Sequence, residues 1–124
     1  MNSGINKLIE LKNKKRNGIW EYITNNKPDL LKKFRIAIKY LRKRIDQIEV
    51  NVVIGKYVLK NISINNDYIL LYFRNFQTEA KIDSVLIIIN KTENEENYMI
   101  VDCSSLQNIF DFIKNLYQYL AGAK

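Results

Sequence analysis

The chain has 124 residues and a mass of 14.7 kDa, the size of one domain built around one core. An apolar fraction of 47% with one Pro and four Gly suits packed helices and strands and excludes a disordered basic tail. With no histidine and a single cysteine, a His-based triad, an imidazole acid or base, a cysteine-rich zinc site and an internal disulfide are all excluded.

The net charge of +7 is unevenly spread. Residues 1–48 carry thirteen Lys and Arg against four acids, and residues 49–124 carry seven against nine, so the two parts stand at +9 and −2. Such asymmetry points to a polyanion or an acidic surface, set against plain solubility in a Lys-rich protein. No apolar stretch approaches the roughly 20 residues that span a bilayer. The N-terminal residues lack the apolar segment and cleavage site of a signal peptide. The expected location is therefore intracellular, in a cell or a virus-infected cell. The Asn, Ile and Lys bias indicates an AT-rich genome.

In chain order, residues 3–24 are expected to be helical. Their apolar positions are Ile5, Leu8, Ile9, Ile19, Trp20 and Ile23, with a solvated basic run between them and a break at Gly18. A second helix starts at Pro28, whose missing N–H suits the first turn. Asp29 complements the positive end of its dipole. Leu31, Phe34, Ile38, Leu41, Ile45 and Ile48 recur at helical spacing as one core-facing stripe. Lys32, Arg35, Lys39, Arg42 and Lys43 fall on the other side, almost without compensating acid. A face of one sign repels itself, and a counter-charged partner relieves that repulsion.

After Ile48 the period becomes strand-like. Glu49–Ile54 is read as a strand, and Gly55-Lys56 as a two-residue turn into a second strand, Tyr57–Ile64. Asn65-Asn66-Asp67 forms the next turn. Tyr68–Arg74, Ile82–Asn90 and Tyr98–Cys103 follow as strands, with an acidic turn over Thr92–Asn97. Consecutive strands joined by short turns make an antiparallel meander. A last helix follows Ser104 or Ser105 as cap, with Gln107 placed to complete a capping box on Ser104. Leu106, Ile109, Phe110, Ile113, Tyr117 and Leu120 form its buried stripe. Phe112, Leu116 and Tyr119 form a second apolar stripe. That second stripe is read as a homodimer interface; its alternative is a helix buried on two sides within one monomer.

The sequence thus reads as one α+β domain: a basic helical part over 1–48, an antiparallel sheet of four or five strands over 49–103, and a C-terminal helix over 104–121. Binding is expected and catalysis is not: no catalytic constellation, metal site or cofactor motif stands out. The glycines stand apart, so there is no phosphate loop. Glu93-Asn94-Glu95-Glu96 reads as a solvated turn, and Cys103 as a small buried hydrophobe. Asp83 and Asp102 hold Mg²⁺ only if neighbouring strands bring them together.

Strand alternation places Tyr68, Tyr72 and Arg74 on the face opposite Ile69, Leu71 and Phe73. Tyr57 on the second strand joins that surface, and Lys60 on the same strand is a further basic candidate for nucleic-acid contact. Aromatic rings stack bases and basic side chains track phosphates, which is how single strands are held without sequence preference. The expected function is therefore sequence-tolerant binding of single-stranded DNA or RNA through the basic helix face and the sheet aromatics. The competing expectation is a protein-interaction or assembly module, such as a viral or mobile-element factor that engages a host protein. A helix-turn-helix over the first two helices, with Arg35, Lys39 and Arg42 in a duplex groove, is a minor alternative.

The stretch from Val50 to Leu120, a strand meander followed by a Ser-capped helix at Cys103-Ser104-Ser105-Leu106, resembles the small single-strand-binding proteins that do not use the OB fold. The crenarchaeal DNA-binding proteins and the PC4-like coactivators are of this kind. The likeness is architectural, with no shared diagnostic motif. It implies a dimer with a basic, aromatic groove.

Overall fold

The computed structural model describes residues 18–78, 83–92, 97–102 and 105–122. The expected helical positions Ile5, Leu8 and Ile9, together with Ile82, the acidic run 93–96, Cys103 and the capping candidate Ser104, lie outside the described residues.

Residues 18–26 are helical (α1), and Lys27 separates them from α2, Pro28–Arg44. Pro28 occupies the first turn of α2 as expected, and Asp29 is the acid beside it. A single 3₁₀ turn, Ile45–Gln47, ends this part. The strands are β1 (Val53–Ile54), β2 (Tyr57–Ile64), β3 (Tyr68–Asn75), β4 (Ser84–Asn90) and β5 (Tyr98–Asp102), and α3 spans Leu106–Gly122. The five strands pair antiparallel in sequence order, so the sheet is a meander within an α+β fold. No helix among the described residues is long and apolar enough to cross a membrane.

Local chemistry fixes the turns. Gly55 has φ +59 at the first position of the β1–β2 turn, where the missing Cβ removes the left-handed penalty. Asn65 Oδ1 accepts from the N–H groups of Asp67 and Tyr68 and closes the β2–β3 turn. The expected first strand is cut to two residues for a related reason. Asn51 sits at φ 78, its N–H donates to the Leu59 carbonyl, and the Val52 carbonyl accepts from Leu59 N–H. Two residues thus oppose one, which bends the chain out of the sheet before Val53.

The three described helices cover one face of the sheet. Leu30, Phe34, Ala37, Ile38 and Leu41 of α2 join Leu59, Leu71, Phe73, Ile87 and Val101 in the main core. Trp20 of α1 meets Phe34 edge-on, with centroids 4.9 Å apart. In α3 the buried side chains are Ile109, Phe112, Ile113, Leu116 and Leu120. Their burial contributes on the order of 10 kcal/mol at roughly 1.5–3 kcal/mol each. Phe110 and Tyr117 pack on the flank toward α2, where Lys27 and Lys33 lie over their rings at 5.1 and 5.3 Å. Arg44 donates to the Leu120 carbonyl at 3.0 Å.

These contacts correct the reading of the second apolar stripe. Phe112 and Leu116 are each 1% exposed and lie in the monomer core, so they are not a dimer surface. Phe112 meets Tyr57 and Phe73 edge-on at 5.3 and 5.1 Å. The helix has two apolar sides because the sheet covers one and α2 the other. Of the three residues, only Tyr119 is exposed.

Candidate functional site

Helix α2 carries seven basic residues against one acid, and the fold divides them by role. Lys33 and Arg44 lie against α3. Arg42 is a correction to the expected basic face. One of its terminal nitrogens donates to the Asn90 carbonyl at 2.6 Å and to Asn97 Oδ1 at 3.2 Å, and Asn97 Oδ1 also accepts from Asn90 N–H at 2.7 Å. The residue thus ties α2 to the turn between β4 and β5. The physical reason is axial position: Arg42 shares the side of Arg35 but lies two turns nearer the C-terminal end of α2, beside the end of the sheet.

Lys32, Arg35, Lys39 and Lys43 remain, and all four are exposed. At 1.5 Å per residue they form a row about 16 Å long on one side of the helix. Ile36, next to Arg35, is uncharged and half-buried, so the row stays narrow there. The only acid of the helix is Asp29 at its first turn. Helix α2 is held into the layer by α3 along its flank and by Trp20 on Phe34. It therefore offers a flat charged row and not a protruding recognition helix.

The outer face of the sheet is ordered by strand register. One row runs Val58, Arg74, Ser84, Asp102; the next runs Asn61, Tyr72, Leu86, Ile100; the next runs Ser63, Leu70, Ile88, Tyr98. Tyr68 pairs with Asn90 beyond them. Tyr68, Tyr72 and Arg74 do lie opposite Ile69, Leu71 and Phe73, and all three are half-buried. Between the tyrosines the face is apolar, with Leu70, Leu86, Ile88 and Ile100 buried in a second cluster to which no described helix contributes.

Tyr57 is a further correction. It is 1% exposed on the core side of the sheet. Simple alternation along β2 fails because the pairing slips between Leu59 and Asn61, which leaves Lys60 outside the register and exposed. Tyr57 and Leu59 face the helices before the slip, and Ile62 faces them after it.

The tyrosine hydroxyl belongs to a buried polar cluster that strand patterning did not reveal. Tyr57 Oη donates to Asp83 Oδ1 at 2.6 Å, and Asn75 Nδ2 donates to Asp83 Oδ2 at 2.9 Å. Asn108 Nδ2 from α3 reaches the same oxygen at 3.4 Å, and Asn75 N–H donates to the Asp83 carbonyl at 2.9 Å. The carboxyl thereby pins together the starts of β2, β4 and α3 and the end of β3. Asp83 faces inward and Asp102 outward, so the two acids do not form a metal pair. Among the described residues no group of three or more acids or cysteines is placed to hold a metal ion.

Among the described residues the helices of this α+β fold cover one side of a five-strand meander, with a row of four exposed cations on the outer side of the helix layer. The half-open tyrosines lie on the opposite side of the sheet, so the row and the rings do not form one groove. Comparison with known proteins gives no matching family model, no matching curated protein and no matching solved structure.

Proposed function

We propose that the protein binds a nucleic-acid backbone, in the first place single-stranded DNA or RNA, through the exposed row on α2. The observation that carries this reading is the row itself: Lys32, Arg35, Lys39 and Lys43 are exposed on one side of a helix whose remaining basic residues are engaged elsewhere. Four like charges so close together repel, and a phosphate backbone removes that cost. The contact reads phosphates and not bases, which makes the binding tolerant of sequence. A flat row that does not protrude favours a flexible single strand over insertion into a duplex groove. Tyr68, Tyr72 and Arg74 supply a separate half-open surface on which bases can stack.

The test is an anisotropy titration of labelled single-stranded and duplex oligonucleotides at about 50 and 200 mM salt. Four phosphate contacts on a single strand give a slope near −2.8 in log K against log salt, hence a loss of about 50-fold between these two conditions. Replacing Lys32, Arg35, Lys39 and Lys43 with Gln should abolish most of the binding and flatten the slope while the thermal midpoint holds. Equal affinity and slope in this variant would remove the row from the mechanism. Absence of any oligonucleotide binding would leave an apolar protein contact as the function to pursue.

A further inference from the structure

The flank of α3 turned away from α2 carries an open cavity of about 240 Å³ that the α2 row does not use. Its near wall is the β1–β2 turn, with Gly55 and Lys56, and its far wall is α3. The floor is the edge-to-face pair Tyr57 and Phe112, both buried. Three amides and a second ammonium line the α3 side: Asn108, Asn115, Gln118 and Lys114.

The amide of Asn108 is set from behind. Its Nδ2 donates to the buried Asp83 Oδ2, and its Oδ1 accepts from Lys56 Nζ at 3.4 Å. Asn115 leans on the turn because residue 55 lacks a side chain; a Cβ there would stand 2.5 Å from Asn115 Nδ2. Among the described residues the side chains of Lys114, Asn115 and Gln118 make no hydrogen bond, so their polar atoms are open to a guest. Asp111 also lines the cavity, and its carboxylate accepts from Gln107 Nε2 at 3.0 Å.

We propose that this cavity binds a small organic phosphate, of the size of a nucleoside monophosphate or a sugar phosphate. Two ammonium groups supply point-charge partners for the phosphate. Amides both donate and accept, which suits sugar hydroxyls or a base edge. Pockets for drug-sized ligands measure roughly 300–1,000 Å³, so this volume restricts the guest to a smaller body. Asp111 on the wall and Asp83 behind Asn108 offset much of the charge of the two lysines, which disfavours a di- or triphosphate relative to a monoester.

Calorimetric titration of the full chain with adenosine monophosphate and with glucose 6-phosphate tests the site, with adenosine and inorganic phosphate run beside them. At least one organic phosphate should bind one to one with Kd below about 1 mM. The exposed pair Lys56→Met and Lys114→Met, made together, should weaken it at least about tenfold. Asn115→Ala should weaken it by a smaller factor, and the four α2 substitutions should leave it unchanged, which separates this site from the nucleic-acid row. Three results overturn the proposal: neither organic phosphate binds at about 10 mM, the lysine variant binds as well as the parent, or adenosine or inorganic phosphate alone binds as tightly as the organic phosphates.

Discussion

Replacing Phe112 with Ala separates the two places the residue could occupy, a subunit surface or the monomer core. The side chain is 1% exposed and sits between the rings of Tyr57 and Phe73 in edge-on contact. Core Phe→Ala changes cost about 3–5 kcal/mol, and each aromatic pair is worth about 0.5–1.5 kcal/mol beyond burial. Two such pairs place this site near the upper end, at about 4–5 kcal/mol. A chain of 124 residues has a stability of about 6 kcal/mol or more at roughly 0.05 kcal/mol per residue, so the variant should still fold at 25 °C. Urea denaturation should show the loss as a lower midpoint with little change in slope, and the thermal midpoint should fall by about 15–20 °C. Tyr119→Ala on the exposed side of the same helix should cost less than about 1 kcal/mol. The reasoning is refuted if Phe112→Ala loses less than about 1 kcal/mol and instead makes sedimentation concentration-dependent.

Three further outcomes follow from the same geometry. Tyr57→Phe removes a buried donor from Asp83 and should cost about 1–3 kcal/mol in urea unfolding; a loss below about 0.5 kcal/mol would show that the cluster does not pin the strand ends. Gly55→Ala should cost about 1–2 kcal/mol from left-handed backbone alone, with more from the contact with Asn115. Adding Asn115→Ala should recover only the contact part, and full recovery would refute the backbone argument. Arg42→Ala should lower stability by about 1–3 kcal/mol through the freed turn groups while leaving the salt slope of oligonucleotide binding intact. Lys39→Ala should do the reverse, and equal behaviour of the two would refute the division of α2 into structural and binding cations.

Much of the fold was legible because it rests on local chemistry. Pro28 starts α2, Gly55-Lys56 and Asn65–Asp67 turn the chain, and β-branched runs between them form β2 to β5. The outward placement of Lys32, Arg35, Lys39 and Lys43 and the shared face of Tyr68, Tyr72 and Arg74 followed from period alone. Ser105 caps α3 by accepting from Asn108 N–H at 3.3 Å, one of the two candidates the sequence offered.

Tertiary structure decided what period cannot reach. A helix apolar on two sides reads the same whether its second side meets another subunit or another helix, and only the position of α2 assigned Phe112 and Leu116 to the core. Strict alternation along β2 misplaced Tyr57, because one extra residue at Lys60 reverses the faces and nothing in the local sequence announces it. Arg42 and Arg35 look equivalent on a helical wheel, yet only the C-terminal end of α2 lies beside the β4–β5 turn. Asp83 gathers Tyr57, Asn75 and Asn108 from three other elements, at separations of 26, 8 and 25 residues. Sequence determines the elements and their faces through short-range sterics and burial. Which faces meet is set by packing between distant segments, and that packing also opens the cavity between α3 and the β1–β2 turn.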